Sequence, residues 1–337
     1  MRKTSTLLAL GAMLALGTAL PAFADDLVKV SYGTNWLAEA EHGGFYQAVA
    51  DGTYKKYGLD VTIVQGGPQA ANEALLISGK IDFYMGGQFS LYSEIAQGIP
   101  VINVAAIFQK DPQILMSHKG VGLDSFADLA KADTIFMGKD LFVTDFVWMK
   151  SAYPGFKDEQ YKPYTFNPAP FIADKMSAQQ GYLTSEPLAV KNASGEEPNV
   201  FLLADNGYAP YSTTIETTTK LVKDNPDLVQ RFVDATTIGW YNYLYGDNKA
   251  ANDLIKKDNP EMTDEQIAFS IKEMKDHGIV ISGDAETKGI GCMTDEREKS
   301  FYDMLVKLKL IDSSIDYKAA FTTQFVCKGV GMDLVKK

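Results

Sequence analysis

The segment 35–46 combines side chains that could bind a small planar molecule. Asn35, Trp36, Glu41, His42 and Gly43 fall within it, directly after a predicted strand and at the start of a predicted helix. Backbone N–H groups at a helix start lack partners, a tryptophan ring can stack on an aromatic ligand, and glycine permits close backbone approach. We expect a ligand here. The alternatives are a core or surface role for Trp36 and a capping or packing role for His42.

A second candidate, segment 86–90, contains Gln88, Phe89 and Ser90 between a predicted strand and a predicted helix. Open α/β sheets bind their ligands at such strand ends. Ser90 could cap the helix or contact a ligand, and Phe89 could form a wall of the pocket. The alternative is an ordinary turn with a helix cap.

Another strand–helix loop follows Gly138 and contains Asp140, Phe142 and Asp145. Its position after a predicted strand again suits a ligand-binding role. Charged loop residues are commonly solvated, however, so these residues are candidates of second rank.

Strands and helices alternate through the first two thirds of the chain, which indicates an α/β protein with mostly parallel sheets flanked by helices. Predicted strands cover residues 27–32, 59–64, 81–85, 101–108, 114–117, 134–137, 161–166 and 200–204. Predicted helices cover residues 44–57, 68–78 and 91–97, and longer ones follow at 220–245, 249–257, 263–276 and 294–310. The chain is long enough for two lobes.

Four short motifs carry a family resemblance: segments 35–46, 54–61, 79–83 and 182–187. With them the chain resembles bacterial solute-binding proteins of ABC importers, in the branch that binds thiamine-pyrimidine precursors and is related to sulfonate and nitrate binders. The resemblance implies a two-lobed type II periplasmic binding protein fold with the ligand in the interlobe cleft. It also implies a discontinuous first lobe, residues 25–112 and 212–337, and a second lobe, residues 113–211.

The same resemblance implies further site residues. Tyr182 and Glu186 have the spacing at which pyrimidine-binding relatives place an aromatic and an acidic pocket residue. Tyr208 and Tyr211 would line the hinge between the lobes. The implied ligand is a thiamine pyrimidine precursor, such as hydroxymethylpyrimidine or its formylamino analogue, which the protein would deliver as a monomer to a membrane permease. Alternative ligands are a sulfonate, nitrate or another aromatic heterocycle.

An enzyme is the contrasting possibility, because fungal relatives of this fold make the thiamine pyrimidine from their own histidine and a bound pyridoxal cofactor. Those enzymes carry neighbouring cysteines that bind iron, whereas this chain has two isolated cysteines. We therefore expect a binding protein that needs no cofactor and no metal. The three histidines have no ligand spacing to a cysteine.

Charge narrows the ligand class. Arg231 and Arg297 are the only arginines after residue 24, and both lie in predicted helices away from strand ends. Arginine is the natural bidentate partner of sulfonate or carboxylate, so a neutral or weakly basic heterocycle fits better than an anion. The formal net charge of −11 makes nucleic acid an improbable partner.

The N-terminal residues have the basic, apolar and small-residue parts of a secretory signal peptide, with predicted cleavage after Ala24. We therefore expect a periplasmic protein that does not insert into the membrane. In that oxidising compartment Cys292 and Cys327 are best interpreted as one disulfide, with two buried thiols as the alternative.

Overall fold

The computed structural model describes residues 27–335, so the predicted signal peptide lies outside the described residues. The strands in this part of the chain are β1 Val28–Gly33, β2 Leu59–Val64, β3 Phe83–Gly86, β4 Val101–Phe108, β5 Gln113–Ser117, β6 Thr134–Met137, β7 Tyr161–Pro163, β8 Ser177–Tyr182, β9 Asn199–Leu202 and β10 Ser212–Thr218. The α-helices are α1 Gly43–Ala50, α2 Thr53–Lys56, α3 Asn72–Ile77, α4 Gln88–Ala96, α5 Lys139–Val143, α6 Asp145–Ala152, α7 Ala169–Ala173, α8 Glu186–Ser194, α9 Thr219–Asp224, α10 Pro226–Tyr245, α11 Lys249–Asp258, α12 Asp264–Asp276, α13 Asp284–Lys288 and α14 Asp295–Lys307.

The strands form two five-stranded sheets. The first has the order β2-β1-β3-β10-β4 and the second the order β7-β6-β8-β5-β9. In the first sheet only β10 runs against the other strands, and in the second only β5 does. The sheets are therefore mixed, and the predicted two-lobed α/β class is confirmed. We call the sheets with their flanking helices the first and second lobe.

Apolar strands were the easiest elements to predict. The observed bounds of β2, β4 and β6 are those predicted, because continuous or alternating Val, Ile, Leu and Phe suit a buried pleated strand. The predicted helix 44–57 is wrong at its middle. Gly52 adopts a left-handed φ of 74°, and Asp51 Oδ1 accepts the Thr53 N–H at 2.9 Å, which ends α1 and starts α2.

Two strands near the middle of the sheets, β8 and β10, were not predicted. Their sequences, SAQQGY and STTIETT, are rich in amides, hydroxyls and a carboxyl group rather than apolar side chains. Gln179, Thr214 and Glu216 are nevertheless fully buried there. The two strands reach the cleft between the lobes through Gln180, Gly181, Tyr182 and Thr213, whereas Glu216 is buried inside the first lobe.

The chain crosses between the lobes twice, at residues 109–112 and 203–211, and α14 connects these two crossings. The Arg297 guanidinium donates to the Gln109 carbonyl of the first crossing and, at 3.2 Å, to the Ala209 carbonyl of the second. It also lies over the Tyr211 ring, 4.1 Å from its centroid. Gln88 reinforces this connection, since its Oε1 accepts the Tyr211 N–H at 2.8 Å. Both arginines therefore have structural roles, because Arg231 bonds Asp227 and the Tyr57 carbonyl.

The predicted disulfide is present: Cys292 is bonded to Cys327 across 35 residues of sequence. It joins the segment before α14 to the C-terminal segment, next to buried Met293 and Val326. Both cysteines belong to the first lobe, far along the chain from the residues predicted to bind the ligand.

Reduction of this disulfide should lower the melting temperature and leave ligand binding intact. Closing a loop of this length constrains the unfolded chain by about 3–4 kcal/mol in the chain-entropy account. Calorimetric melting with and without reductant measures the loss. Two free thiols titrated in the natively folded protein would contradict the bridge.

A group of buried carboxyls lies within the first lobe, away from the cleft. Glu94 and Glu216 are almost fully buried, and none of their carboxyl oxygens accepts a hydrogen bond from an N–H or hydroxyl group of the described residues. Burial, together with the neighbouring carboxyls of Glu73 and Glu216, raises the pKa of Glu94 to about 9. Burial also raises the pKa of Glu216 to about 7. The folded protein therefore keeps protons that its unfolded chain releases.

Stability should consequently fall as the pH rises from 5 to 8. The unfolded carboxyls ionise near 4.5, whereas the folded ones hold their protons to about 7–9, so the unfolded state gains over this range. Glu94→Gln should reduce the slope and raise the melting temperature at pH 8, while Glu159→Gln, an exposed control, should change neither. Melting curves at pH 5, 6.5 and 8 test this, and a melting temperature that rises across the series would contradict it.

Candidate functional site

A cavity of about 370 Å³ lies between the two lobes. It is lined by Asn35, Trp36, Glu39, Glu41, His42, Met85, Gln113, Asp140, Leu141, Phe166, Gln180, Gly181, Tyr182, Ser185, Glu186 and Thr213. Seven of these are residues that we predicted from the sequence: Asn35, Trp36, Glu41, His42, Asp140, Tyr182 and Glu186. Most follow the ends of β1, β6 and β8, the position at which α/β sheets bind ligands.

Three glutamates give this cavity a strongly acidic lining. Glu39 and Glu41 belong to the first lobe and Glu186 to the second. Burial, followed by the charges of Glu41 and Glu186, raises the pKa of Glu39 well above its ordinary value. Burial raises the pKa of Glu41 to about 7, with a contribution from the charge of Glu186. The three carboxyls thus repel one another across the cleft, and a cation or a strong hydrogen-bond donor between them would relieve that repulsion.

Glu186 is positioned by the turn that starts α8. Its Oε2 accepts the Tyr182 N–H at 2.7 Å, and its Oε1 accepts the Tyr164 hydroxyl at 3.4 Å. Gly181 makes room for it, because a Cβ on Gly181 would lie 2.7 Å from the Glu186 Cβ. Burial raises the pKa of Glu186, while the Tyr182 N–H opposes the rise. The carboxyl is therefore held rigidly and retains free acceptor capacity toward the cavity.

His42 lies in the 3-10 turn Ala40–His42 that precedes α1, and it is only 1% exposed. Burial lowers its pKa to about 3, so the imidazole is neutral at physiological pH. Nε2 lies 3.7 Å from Glu39 Oε1, and Nδ1 has no partner among residues 27–335. A neutral ring with an unused nitrogen can exchange a hydrogen bond with a ligand without adding charge.

Two aromatic rings meet across the cavity. Trp36 of the first lobe and Phe166 of the second lie 6.3 Å apart between ring centroids, with an interplanar angle of 27°. Both are unusually exposed for large apolar side chains, Trp36 at 38% and Phe166 at 73%. Phe166 also adopts a left-handed φ of 59°, a strained conformation for a bulky residue. Exposure and strain at the same position indicate a functional constraint rather than a packing one.

Phe166 is not among the predicted site residues because the predicted strand covers residues 161–166, whereas β7 ends at Pro163. The Asn167-Pro168 pair that follows is a turn signal and could have placed Phe166 in a loop. Glu39 was also missed, although it falls within the segment from 35 to 46. Glu39 lies between two alanines, and this local sequence does not show whether its carboxyl faces inward or outward.

The remaining predicted residues separate into two groups. Phe89, Ser90 and Tyr208 line a second cavity of about 230 Å³, together with Gly87, Gln88, Asp111, Gln113, Leu141, Thr144, Asp145, Pro210, Tyr211 and Ser212. Both ends of the Gln88 amide are bonded within the protein, since its Nε2 donates to Glu298 Oε2 at 2.6 Å and its Oε1 accepts from Tyr211. Its contribution is to the hinge. Ser90 donates to the Gly87 carbonyl within the first turn of α4.

Gly43 and Phe142 line neither cavity. A Cβ on Gly43 would lie 2.0 Å from the Tyr243 ring, and one on Gly44 would lie 2.2 Å from the Trp240 ring. The glycine pair therefore permits α1 to pack against α10, which corrects the expectation of close backbone approach to a ligand. Phe142 stacks on Tyr161 at 4.1 Å inside the second lobe. We leave both out of the proposed site.

The charged side chains that line the two cavities are acidic. Asp111, Asp140 and Asp145 add to the three glutamates, and no lysine or arginine is among the lining residues in the described part of the chain. An anion here would meet several carboxyls with no counter-charge, whereas a protonated or amino-bearing heterocycle would find partners. Within residues 27–335 no group of His, Cys, Asp and Glu side chains has metal-binding geometry, and no helix has the length and apolarity to span a bilayer.

Solved structures share the fold. The aliphatic sulphonate-binding protein SsuA of Escherichia coli superimposes with a TM-score of 0.63 at 13% identity, covering 87% of this chain and 91% of that protein. At this identity the likeness concerns the fold. It places the cavity described above between the lobes of a periplasmic binding protein fold.

Sequence relatives are mixed in their activities. The riboflavin-binding protein RibY of Chloroflexus aurantiacus is 23% identical over 94% of this chain and 91% of its own length. A putative thiamine biosynthesis protein of Haemophilus influenzae is 27% identical, but the match spans only 35% of this chain and 37% of that protein. A 4-amino-5-hydroxymethyl-2-methylpyrimidine phosphate synthase of Schizosaccharomyces pombe is 28% identical over 30% of this chain and 29% of its length.

The family comparison covers more of the chain than these partial matches. The model of the family described as NMT1/THI5 like matches residues 39–251. That span runs from Glu39 through Glu186 to the first turn of α11, so it includes most of the cavity and both crossings between the lobes. The chain therefore belongs to the NMT1/THI5-like family.

Proposed function

We propose that this protein is the periplasmic solute-binding component of an ABC importer and that it captures an aminopyrimidine-like heterocycle. The observation that carries the proposal is the interlobe cavity, in which carboxyls from both lobes face one another without a lysine or arginine. A thiamine pyrimidine precursor has an amino group and basic ring nitrogens, which match such acceptors. The family membership and the periplasmic binding protein fold support the same class of function.

The polar contacts assign a role to each side of the cleft. Glu186 would accept a hydrogen bond from the amino group and favour protonation of the adjacent ring nitrogen, which gives a charge-assisted pair. Glu41 and His42 would bind the opposite edge of the ring from the first lobe. Trp36 and Phe166 would cover the ring at the mouth of the cleft. A sulfonate or nitrate would find none of the cationic partners that it needs.

Lobe closure would retain the ligand. We propose lobe boundaries at residues 25–112 with 212–337 for the first lobe and 113–211 for the second. The crossings that Arg297 connects would then act as the hinge. A ligand that contacts both lobes shifts the open–closed equilibrium by its differential affinity for the closed form. The permease would recognise that form.

A flavin is the second candidate, because the match with RibY extends over almost the whole of both chains. A flavin also presents a planar ring with hydrogen-bonding edges, so Trp36 and Phe166 would suit it as well. The acidic lining favours the aminopyrimidine, since the flavin ring system is not a base at neutral pH and gains less from three facing carboxyls.

A pyrimidine-synthesising activity is less well supported. The only cysteines, Cys292 and Cys327, are bonded to each other and lie in the first lobe away from the cavity residues. They do not reproduce the neighbouring cysteines of the fungal enzymes that this chain resembles. His42 is buried, and it lines the cavity with a ring nitrogen that has no partner within residues 27–335, which suits hydrogen bonding to a bound ligand.

Mass spectrometry separates binding from synthesis. The protein purified from the periplasm should begin at Asp25 and release an intact small molecule on denaturation. An aminopyrimidine mass would support the proposal, and a flavin mass would favour the second candidate. An altered His42 mass in protein that has turned over would overturn the binding function.

A further inference from the structure

The second cavity adjoins the first, because Gln113 and Leu141 line both. It lies on the hinge side of the cleft, between the start of α4 in the first lobe and the start of α6 in the second. A ligand that fills the first cavity could therefore extend an arm into the second without leaving the cleft. Nothing in the proposed aminopyrimidine function uses this space.

Three polar groups line the second cavity and are not fully used by the protein. Asp145 is almost buried, and only its Oδ2 is bonded to a side chain, the Thr144 hydroxyl at 2.6 Å. Asp111 accepts the Gln113 N–H at 2.9 Å through Oδ1. Tyr208 is 5% exposed, and its hydroxyl has no hydrogen-bond partner within residues 27–335. The hydroxyl of this largely buried side chain opens onto the cavity, so a ligand there could complete its hydrogen bonds.

The charges of this cavity identify the complementary ligand group. Burial raises the pKa of Asp145 to about 7, and the charge of Asp111 adds to the rise. The nearby carboxyls also raise the pKa of Tyr208 after burial itself. The lining includes no lysine or arginine among the described residues. A positive charge placed among these groups would ionise the carboxyls fully and satisfy the phenol oxygen at once.

We propose that the second cavity is a subsite for a protonated amine carried on an arm of the bound heterocycle. Asp145 and Asp111 would accept its hydrogen bonds, and the Tyr208 oxygen would complete its coordination. This inference rests on the proposed function, since the heterocycle itself would occupy the first cavity. It assigns the importer a substrate class, amine-bearing aminopyrimidines, in preference to the bare or hydroxylated heterocycle.

The test uses one head group and two kinds of arm. 4-Amino-2-methylpyrimidines that carry ω-amino or ω-hydroxy alkyl arms of about one to four carbons are titrated calorimetrically into the full protein. At the best length the amine should bind about tenfold or more tightly than the matched alcohol, as expected for a charge-assisted hydrogen bond. Asp145→Asn should abolish that preference by weakening the binding of the amines about tenfold more than that of the matched alcohols.

Two further variants make the result unambiguous. Asp133→Asn, an exposed residue of the same lobe, carries the same charge change and should keep the preference for the amine. Tyr208→Phe removes only the hydroxyl and should lower the preference, so it provides the test if Asp145→Asn does not fold. Equal affinity for amines and alcohols in the unaltered protein would overturn the subsite and leave the proposed function standing. Absence of binding by every aminopyrimidine would overturn both.

Discussion

Glu186→Gln should weaken the binding of hydroxymethyl-aminopyrimidine by roughly ten- to hundredfold, the loss expected for a charge-assisted hydrogen bond of about 1.5–3 kcal/mol. The substitution keeps the size of the side chain and an oxygen that can still accept the Tyr182 N–H, which Glu186 Oε2 accepts at 2.7 Å. The turn before α8 should therefore survive. What disappears is the negative charge that a protonated ring nitrogen seeks.

The control for this variant is Glu196→Gln. Glu196 follows α8 in the same lobe and forms an exposed ion pair with Lys175, so its loss should leave affinity unchanged. The pH dependence of binding gives a second readout. Affinity of the unaltered protein should depend on pH through the carboxyls of the cleft, and Glu186→Gln should flatten that dependence. Unchanged affinity in Glu186→Gln would remove this residue from the site.

The second large effect concerns the aromatic pair. Trp36→Ala and Phe166→Ala should each lower the affinity for the same pyrimidine by about tenfold or more, since stacking on a base is worth about 1–3 kcal/mol by alanine substitution. Because both rings are exposed, neither change should lower the melting temperature noticeably. The loss should also be nearly independent of pH, in contrast to that of Glu186→Gln.

A double-mutant cycle tests whether the two rings act together. The rings lie 6.3 Å apart, so the combined variant should lose less affinity than the two single losses added. Tyr245→Ala, which removes an exposed aromatic ring at the end of α10, is the matched control and should have no effect. Full affinity in Phe166→Ala would show that the strained loop has a role other than ligand contact.

The α/β class could be predicted from the sequence because apolar periodicity and glycines at helix ends are local signals that do not depend on tertiary contacts. Prediction failed at β8 and β10, whose Gln, Thr and Glu side chains are buried although they are polar. Gln180 and Thr213 line the cavity between the lobes, whereas Glu216 is buried within the first lobe. A pattern based on apolar residues does not detect such strands.

Some of the residues that line the interlobe cavity could be predicted from the sequence. Trp36, Glu41 and His42 lie in one local segment, whereas Phe166 enters the cavity from a separate loop of the second lobe through a left-handed backbone conformation. Gly43 shows the converse error. A glycine beside candidate ligand residues was interpreted as room for a ligand, but the room is taken by the ring of Tyr243.

Calorimetric titration of the purified protein with hydroxymethyl-aminopyrimidine, its formylamino analogue, riboflavin, a taurine-like sulfonate and nitrate tests the central claim most directly. The acidic, arginine-free cavity predicts saturable binding of an aminopyrimidine and no heat from the sulfonate or nitrate. Tight binding of the sulfonate or nitrate, with no signal from either pyrimidine, would contradict the account.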